Sequence, residues 1–282
     1  MRDAVATPVM KVETVIGSTS STLTYWHDCW KFRELLVILV WRDLLVRYKQ
    51  TIFGITWAIM RPFFTMVVFT VIFGRIANLP SGNVPYPLLV FAGMLPWYFF
   101  ATTFADAGNS IVGNAQMVSK VYFPRIIVPL STILVGLADF GFSFLVLIGL
   151  AFWYQYVPGW QIVFLPLLIL LMCAFTFAAG IWIAALNVRY RDFRYLVPFA
   201  VQLGTYVSPV GFSSSVVPEP WQWLYSINPM VGIIDGFRWC LLGGAAPFNA
   251  QALLMSVFFT LLLLVPGIWF FRRSENRFAD VI

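Results

Sequence analysis

Ionisable side chains inside apolar segments are the residues of this chain best placed to do chemistry. Asp139 lies in the middle of one apolar run, Asp106 ends another, and Arg61 precedes Pro62 in a third. Charge inside a membrane span is costly and often functional. Asp139 is a candidate proton or cation relay, or one half of a buried pair with an arginine or a polar neighbour such as Ser143; we favour the pair. Arg61 is a candidate contact for an anionic head group, or a side chain that extends to the interface.

Aromatic side chains form a second candidate group and make up 18% of the chain. Their faces offer apolar contact to sugar rings, so a path for glycans would use them, although aromatic belts at the membrane interfaces explain most of them. Trp182 stands apart because small residues flank it, which suggests that its surface faces protein. The candidates for a translocation path are Trp57, Trp97, Tyr98, Phe100, Trp182 and Tyr206.

Common catalytic motifs do not occur in the sequence. It has no G-x-x-x-x-G-K-[ST], so it has no P-loop for ATP phosphates, and no G-x-S-x-G or H-E-x-x-H. The one histidine, His27, has no carboxylate pair or cysteine cluster near it in the sequence. Cys29, Cys173 and Cys240 lack the spacing of a metal site or a disulfide framework and are interpreted as unpaired. We therefore predict no enzyme and no cofactor or metal on this chain.

The composition is typical of a polytopic membrane protein. The chain is 60% hydrophobic and 11% charged, which would leave a soluble domain with too much apolar surface. The net charge of +6 does not indicate nucleic acid binding, because the cations flank apolar runs and would meet anionic lipid instead. All 18 Lys and Arg residues except Arg61, Arg75 and Arg238 lie in segments assigned to the cytoplasm. This distribution places both termini there, with Arg75 and Arg238 in exterior loops.

Apolar segments long enough to cross a membrane set the domain organisation, since a helical span needs roughly 20 apolar residues. We predict an all-α fold with a single six-span transmembrane domain over 51–272, a polar N-terminal extension over 1–29 and a cytoplasmic tail over 273–282. The predicted spans are Ile52–Gly74, Tyr86–Ala105, Arg125–Tyr156, Gln161–Leu186, Leu196–Phe212 and Ala250–Phe271.

Two further apolar stretches are too short to cross. Residues 30–50 carry the apolar run Leu35–Trp41 among basic residues, and the four-residue spacing of Asp43 and Arg47 supports a helix. We predict an N-terminal amphipathic helix at the cytoplasmic interface. Residues 218–244 can enter the membrane partway and return if protein or water covers the backbone. We predict an external re-entrant helical hairpin there.

Two predicted cytoplasmic segments are candidates for docking on another protein. In 110–124, apolar residues recur at helical spacing, which indicates a short amphipathic helix. Residues 187–195 form a short basic segment. A simpler interpretation of its charge is that it keeps this loop in the cytoplasm by the positive-inside rule. The candidate contact residues are Ile111, Ala115, Val118, Lys120 and Tyr122 in the first segment and Arg189, Arg191 and Asp192 in the second.

Six ordered blocks of residues resemble motifs of the type-2 ABC exporter permeases for polysaccharides. They are Arg42–Trp57 closing on Pro62, Phe91–Phe100, Lys120–Arg125 with Pro129, Leu186–Asp192, Ser208–Val210 and Asn228–Met230. The likeness covers Trp30–Phe271, and its nearest members are O-antigen exporters of the Wzm type, followed by teichoic acid exporters. Arg61 departs from the pattern, in which a neutral residue precedes the proline.

The resemblance implies a permease that acts with a second copy of itself and two separate nucleotide-binding subunits, which would hold ATP and Mg. Segments 110–124 and 187–195 become coupling elements, 30–50 a gate helix and the hairpin a narrowing at the exit. The gate and head-group contacts expected in this helix are Arg42, Arg47, Tyr48 and Lys49. Arg61 is also a candidate head-group contact, but the resemblance does not imply it, because Arg61 departs from the family's pattern.

The resemblance also implies a substrate: a polysaccharide linked to undecaprenyl pyrophosphate, moved across the bacterial inner membrane. Arg47 and Lys49 would meet the pyrophosphate through charge-assisted contacts. The alternatives are an exporter of teichoic acid, another glycolipid or a drug within the same family, and a proton-coupled secondary transporter that uses Asp139.

Overall fold

The computed structural model describes residues 22–49, 54–80, 84–243 and 246–281. Every secondary-structure element in these ranges is a helix, so the predicted all-α class is confirmed. The helices are α1 (Thr22–Lys31), α2 (Arg33–Lys49), α3 (Gly54–Phe69), α4 (Tyr86–Gly113), α5 (Ala115–Lys120), α6 (Ile127–Trp153), α7 (Leu165–Arg189), α8 (Phe193–Val207), α9 (Glu219–Tyr225), α10 (Pro229–Leu241) and α11 (Ala250–Val281). A π-helical segment, Thr70–Ile76, continues α3, and 3-10 turns at Trp160–Phe164 and Ser214–Val216 precede α7 and α9.

Four helices in the described part of the chain are long and apolar enough to cross a membrane. They are Tyr86–Gly113, Ile127–Trp153, Trp160–Arg189 and Ala250–Glu275, which correspond to the second, third, fourth and sixth predicted spans. The first predicted span divides into α3, of 16 residues, and its π-helical continuation. The fifth becomes α8, of only 15 residues. The chain is a multi-pass membrane protein, and the count of six spans stays a prediction.

Helix α4 forms the centre of the bundle and packs against α6, α7 and α10. Its apolar window is 72% buried, against 17–33% for the other three long helices, so most of the surface of those three faces outward from the bundle. Gly136 of α6 faces Thr103 and Gly180 of α7 faces Ala107 so closely that a Cβ atom would clash. Small residues therefore set the distance between α4 and both neighbours.

The first and last helices meet at one end of the molecule. The Tyr25 hydroxyl of α1 donates to Glu275 Oε2 of α11 at 3.0 Å. Glu275 also accepts the backbone N–H of Arg125 on Oε1 at 2.6 Å, and its carbonyl accepts the Arg125 guanidinium. Arg272 lies 4.4 Å from the centroid of the Tyr25 ring. These contacts bring α1, the start of α6 and the end of α11 together, as expected for termini on one side.

Helix α10, part of the segment predicted to enter the membrane from outside and return, lies inside the protein. Most of its residues are buried against α4, α7 and α11, and Asn228 caps it by accepting the Met230 N–H at 3.0 Å. Arg238, expected in an exterior loop, instead lies in this helix and is only 1% exposed. Its assignment to the exterior side of the membrane stays a prediction. The preceding α9 exposes Trp221 and Trp223. The re-entrant path of this pair stays a prediction.

Candidate functional site

A cavity of about 1140 Å³ opens among α3, α4, α6, α8 and the end of α2. Its polar lining consists of Arg47, Tyr48, Arg61, Thr65, Tyr98, Thr102, Asp106, Asp139, Ser143, Gln202 and Thr205. Apolar residues such as Phe69, Trp97 and Phe140 complete the wall. The cavity therefore combines charges, hydroxyl and amide groups, and aromatic faces.

Arg47, in the last turn of α2, holds the charged part of the cavity together. Its Nη2 donates to Asp106 Oδ2 at 2.6 Å, and its Nη1 donates to Asp139 Oδ2. The Tyr48 hydroxyl donates to the other oxygen of Asp139. One guanidinium thus joins α2 to both α4 and α6. The favoured interpretation of Asp139, a pair with an arginine, is confirmed, although the pair is only partly buried.

The charge states of Arg47 and Tyr48 follow from this arrangement. Burial lowers the pKa of Arg47, but the carboxylates of Asp139 and Asp106 outweigh it and raise the pKa overall. Burial, followed by the hydrogen bond to Asp139, raises the pKa of the Tyr48 hydroxyl. Both groups therefore keep their protons at neutral pH and act as donors to carboxylates.

A second contact ties α2 to the corner between α4 and α5. Arg42 Nη2 donates to Asn114 Oδ1 at 2.8 Å, and Asn114 Nδ2 donates to the Ser110 carbonyl at 2.9 Å. The i, i+4 spacing of Asp43 and Arg47 does not yield an ion pair, because Arg47 binds other helices and Asp43 pairs with Arg42 at 2.7 Å. The predicted gate helix is thus fastened to the predicted coupling segment 110–124.

Arg61 lines the cavity from α3 and has different surroundings. Its guanidinium carbon lies 5.9 Å from the centroid of the Tyr98 ring. Thr65 Oγ1 donates to the Arg61 carbonyl at 3.0 Å and accepts the Tyr98 hydroxyl at 2.8 Å. Among the side chains that the structure describes, no carboxylate lies within 4.0 Å of Arg61.

The exposed Lys49, at the end of α2, does not line the cavity.

The predicted path residues separate into two groups. Trp97 and Tyr98 line the cavity, and the Trp97 indole N–H donates to Thr205 Oγ1 at 3.0 Å. Phe100 instead stacks on Phe104 and Phe175. It follows Tyr98 by two residues, which on a helix turns its side chain by about 200° from that of Tyr98.

The remaining predicted path residues lie elsewhere. Trp182 stacks on Phe270 at 4.8 Å and donates to the Leu263 carbonyl at 2.9 Å, so its surface faces protein, as its small neighbours indicated. Tyr206 is 70% exposed and does not line the cavity. Trp57 lies outside the side chains that the structure describes.

The predicted coupling residues lie at the end of the molecule where α1 and α11 meet. Ile111 and Val118 are covered by the chain's own core, so they are not available to a partner, and Ala115 is partly exposed. The remaining candidates are exposed: Lys120, Tyr122, Arg189, Arg191 and Asp192. The regular spacing of the apolar residues reflects packing within the chain, and a docking surface would use the polar and aromatic residues beside them.

Sequence reasoning missed several residues that build this site. Gln202 and Thr205 project into the cavity from α8, and their three-residue spacing on a helix was the available signal. Arg238 fixes the segment after α8 by donating to the carbonyls of Leu89 at 3.1 Å, Val210 at 2.9 Å and Phe212 at 2.7 Å. Val210 itself lines the cavity, so Arg238 shapes the wall from outside.

Comparison with known proteins agrees with the resemblance of the ordered motifs. The sequence model of the ABC-2 type transporter family matches residues 34–242. An O-antigen export system permease protein, RfbA of Klebsiella pneumoniae, is 29% identical over 253 residues, which cover 88% of this chain and 95% of that protein. A protein of the same name from Myxococcus xanthus is 27% identical over 259 residues, covering 91% and 98%. The polysialic acid transport protein KpsM of Escherichia coli is 22% identical over 245 residues, covering 83% and 91%. Because the family match spans most of its length, the chain belongs to the ABC-2 type transporter family.

Proposed function

We propose that this chain is the permease subunit of an ATP-driven exporter of a polysaccharide linked to undecaprenyl pyrophosphate. Two copies would work with two separate nucleotide-binding subunits in the bacterial inner membrane, with both termini in the cytoplasm. The observation that carries the proposal is the cavity of about 1140 Å³, which joins a charged cluster to a wall of aromatic and hydroxyl groups. Two similar proteins, an O-antigen export permease and a polysialic acid transport protein, support the proposed class of substrate.

The cavity wall suits a chain of sugars. The Tyr98 face offers apolar contact to a sugar ring, while Thr65, Thr102, Gln202 and Thr205 offer hydrogen-bonding groups. Pockets for small ligands enclose roughly 300–1,000 Å³, so this cavity has room for more than a single sugar residue. Threonine and glutamine side chains both donate and accept, which allows a polymer to exchange partners as it moves.

Helix α2 has the contacts expected of a gate. Among the described residues, the hydrogen bonds from its last turn to α4 and α6 come from the side chains of Arg47 and Tyr48, and the Tyr48 ring also packs on Phe142 of α6. The ion pair is accessible to water, with Arg47 36% and Asp106 44% exposed. Exposed pairs contribute only about 0–1 kcal/mol each, so separating them is a small cost. A movement of α2 would therefore open the cavity without unfolding the bundle.

The contact between Arg42 and Asn114 provides a route from a partner to the gate. Asn114 lies at the α4–α5 corner, close in sequence to the exposed Lys120 and Tyr122. A nucleotide-binding subunit that displaces this corner would pull on α2 through Arg42. The second docking element consists of exposed residues at the end of α7 and just after it: Arg189, Arg191 and Asp192.

Reconstitution in lipid with a nucleotide-binding subunit from the same organism tests the proposal. We expect no ATPase activity from the chain alone and a stable, active complex with the partner. Charge reversal at Arg189 and Arg191 should weaken that complex, while the matched reversal of Arg75, exposed in the π-helical segment Thr70–Ile76, should leave it intact. Failure to bind any ATPase would contradict the proposal.

A further inference from the structure

Two cations line the cavity, and the structure distinguishes them. Arg47 contacts two carboxylates, those of Asp106 and Asp139. The cluster formed by these three side chains therefore carries one more negative than positive charge. Arg61 has no carboxylate within 4.0 Å among the described side chains, so its positive charge is not compensated by a direct partner.

This difference decides where an anion can bind. A phosphate that approached Arg47 would face two carboxylates already bound to the guanidinium and would be repelled by their excess charge. At Arg61 the same phosphate meets a guanidinium that has no carboxylate within 4.0 Å among the described side chains. Electrostatics therefore favours Arg61 over Arg47 as the anion site.

The contacts of Arg61 hold it toward the cavity. The guanidinium lies over the Tyr98 ring at 5.9 Å, and Thr65 connects the backbone of Arg61 to the Tyr98 hydroxyl. A guanidinium on an aromatic face keeps its N–H edges available for two-pronged contact with phosphate. Arg61 is also seven residues after the start of α3 at Gly54, or about 10 Å along the helix, where a charge in a span is costly and usually functional.

We propose that Arg61 is the phosphate-binding residue of the cavity and takes the pyrophosphate that joins the lipid carrier to the polysaccharide. Arg47 then serves a separate purpose, which is to hold α2 against the cavity. This inference rests on the proposed function and deepens it by naming the substrate group that one side chain recognises.

Direct binding tests the proposal. The complex of this chain with its ATPase partner is placed in phosphatidylcholine nanodiscs, and radiolabelled undecaprenyl pyrophosphate is titrated against wild type, Arg61→Gln, Arg61→Lys and the control Arg75→Gln. Undecaprenol, which lacks phosphate, and inorganic pyrophosphate, which lacks lipid, are measured in parallel. Size-exclusion elution and melting temperature verify that each variant is folded.

We expect Arg61→Gln to weaken binding of undecaprenyl pyrophosphate by about tenfold or more, because a hydrogen bond to a charged group is lost. Arg61→Lys should recover part of the affinity, Arg75→Gln should bind like wild type, and binding of undecaprenol should not change. Arg61→Gln binding within about twofold of wild type, or inorganic pyrophosphate binding as tightly as the lipid, would overturn the proposal.

Export separates this proposal from the broader function. If the wild-type complex exports polysaccharide and Arg61→Gln still binds the lipid normally, the assignment of Arg61 fails while the exporter stands. If the wild-type complex neither exports polysaccharide nor binds the lipid, both fail.

Discussion

Nη2 of Arg47 lies 2.6 Å from Oδ2 of Asp106, and this ion pair fastens the end of α2 to the central helix α4. The same guanidinium reaches Asp139 of α6. One guanidinium therefore joins the end of α2 to two helices that line the cavity.

Arg47→Gln should release α2 while leaving the bundle folded. Because the pair is partly exposed, we expect a loss of about 1 kcal/mol in stability rather than the 3–5 kcal/mol of a fully buried pair. ATP hydrolysis should continue, but export should fall, because the gate no longer returns to one position. Both are measured in proteoliposomes. Lys49→Gln, two residues away on the same helix, is the control. An equal export defect in this variant would contradict the role of Arg47 in holding α2.

Asp139→Asn distinguishes an ATP-driven exporter from a proton-coupled transporter. In asparagine one oxygen still accepts from Arg47, while the amide NH2 takes the place of the oxygen that accepted from Tyr48 and can donate to that hydroxyl instead. Because both contacts can be kept in this altered form, we expect export to stay within about threefold of wild type. Collapsing the proton gradient should leave ATP-driven export unchanged. Complete loss of transport in Asp139→Asn with ATP hydrolysis intact, together with sensitivity to an ionophore, would favour the proton relay.

Gly93→Ala should destabilise the protein. A Cβ at Gly93 would collide with the Arg238 guanidinium, which three backbone carbonyls hold in place. Forcing an atom into such a site typically costs about 1–3 kcal/mol, seen as a lower melting temperature in detergent. Gly141→Ala is the matched control, because nothing lies within 4 Å of its Cβ position, and its melting temperature should not fall. Equal behaviour of the two variants would contradict the buried position of Arg238.

Arg42→Gln and Asn114→Ala test the link between gate and coupling segment. Each should lower the export obtained per ATP hydrolysed, because the contact at 2.8 Å is lost in either variant. The double variant should be no worse than the single ones, since residues that act through one contact are not additive. Assembly with the ATPase, measured by co-purification, should be unchanged. Strictly additive effects would show that the two residues act independently.

The apolar spans could be predicted from sequence, whereas the charged cluster could not. Length and hydropathy suffice to place α4, α6, α7 and α11, because lipid demands long apolar helices. The partners of Arg47 are 59 and 92 residues away in the sequence, and no local spacing indicates them. The nearby Asp43 was the more obvious partner and is not the one that binds.

Two other differences have physical causes. Arg238 was assigned to an exterior loop because the apolar stretch around it is too short to span, yet three carbonyls accept its guanidinium inside the protein. Phe100 was grouped with Tyr98 because they are neighbours in sequence, although helical geometry turns them to opposite faces. The second of these could have been avoided from sequence alone, and the first could not.

Transport of a labelled glycan on undecaprenyl pyrophosphate into proteoliposomes tests the central claim most directly. The vesicles hold this chain with its ATPase partner and receive ATP, a non-hydrolysable ATP analogue, or a proton gradient alone. The account predicts transport only with hydrolysable ATP, and a sharp reduction in Arg47→Gln. Transport driven by the proton gradient without ATP, or no transport of the lipid-linked glycan under any condition, would contradict it.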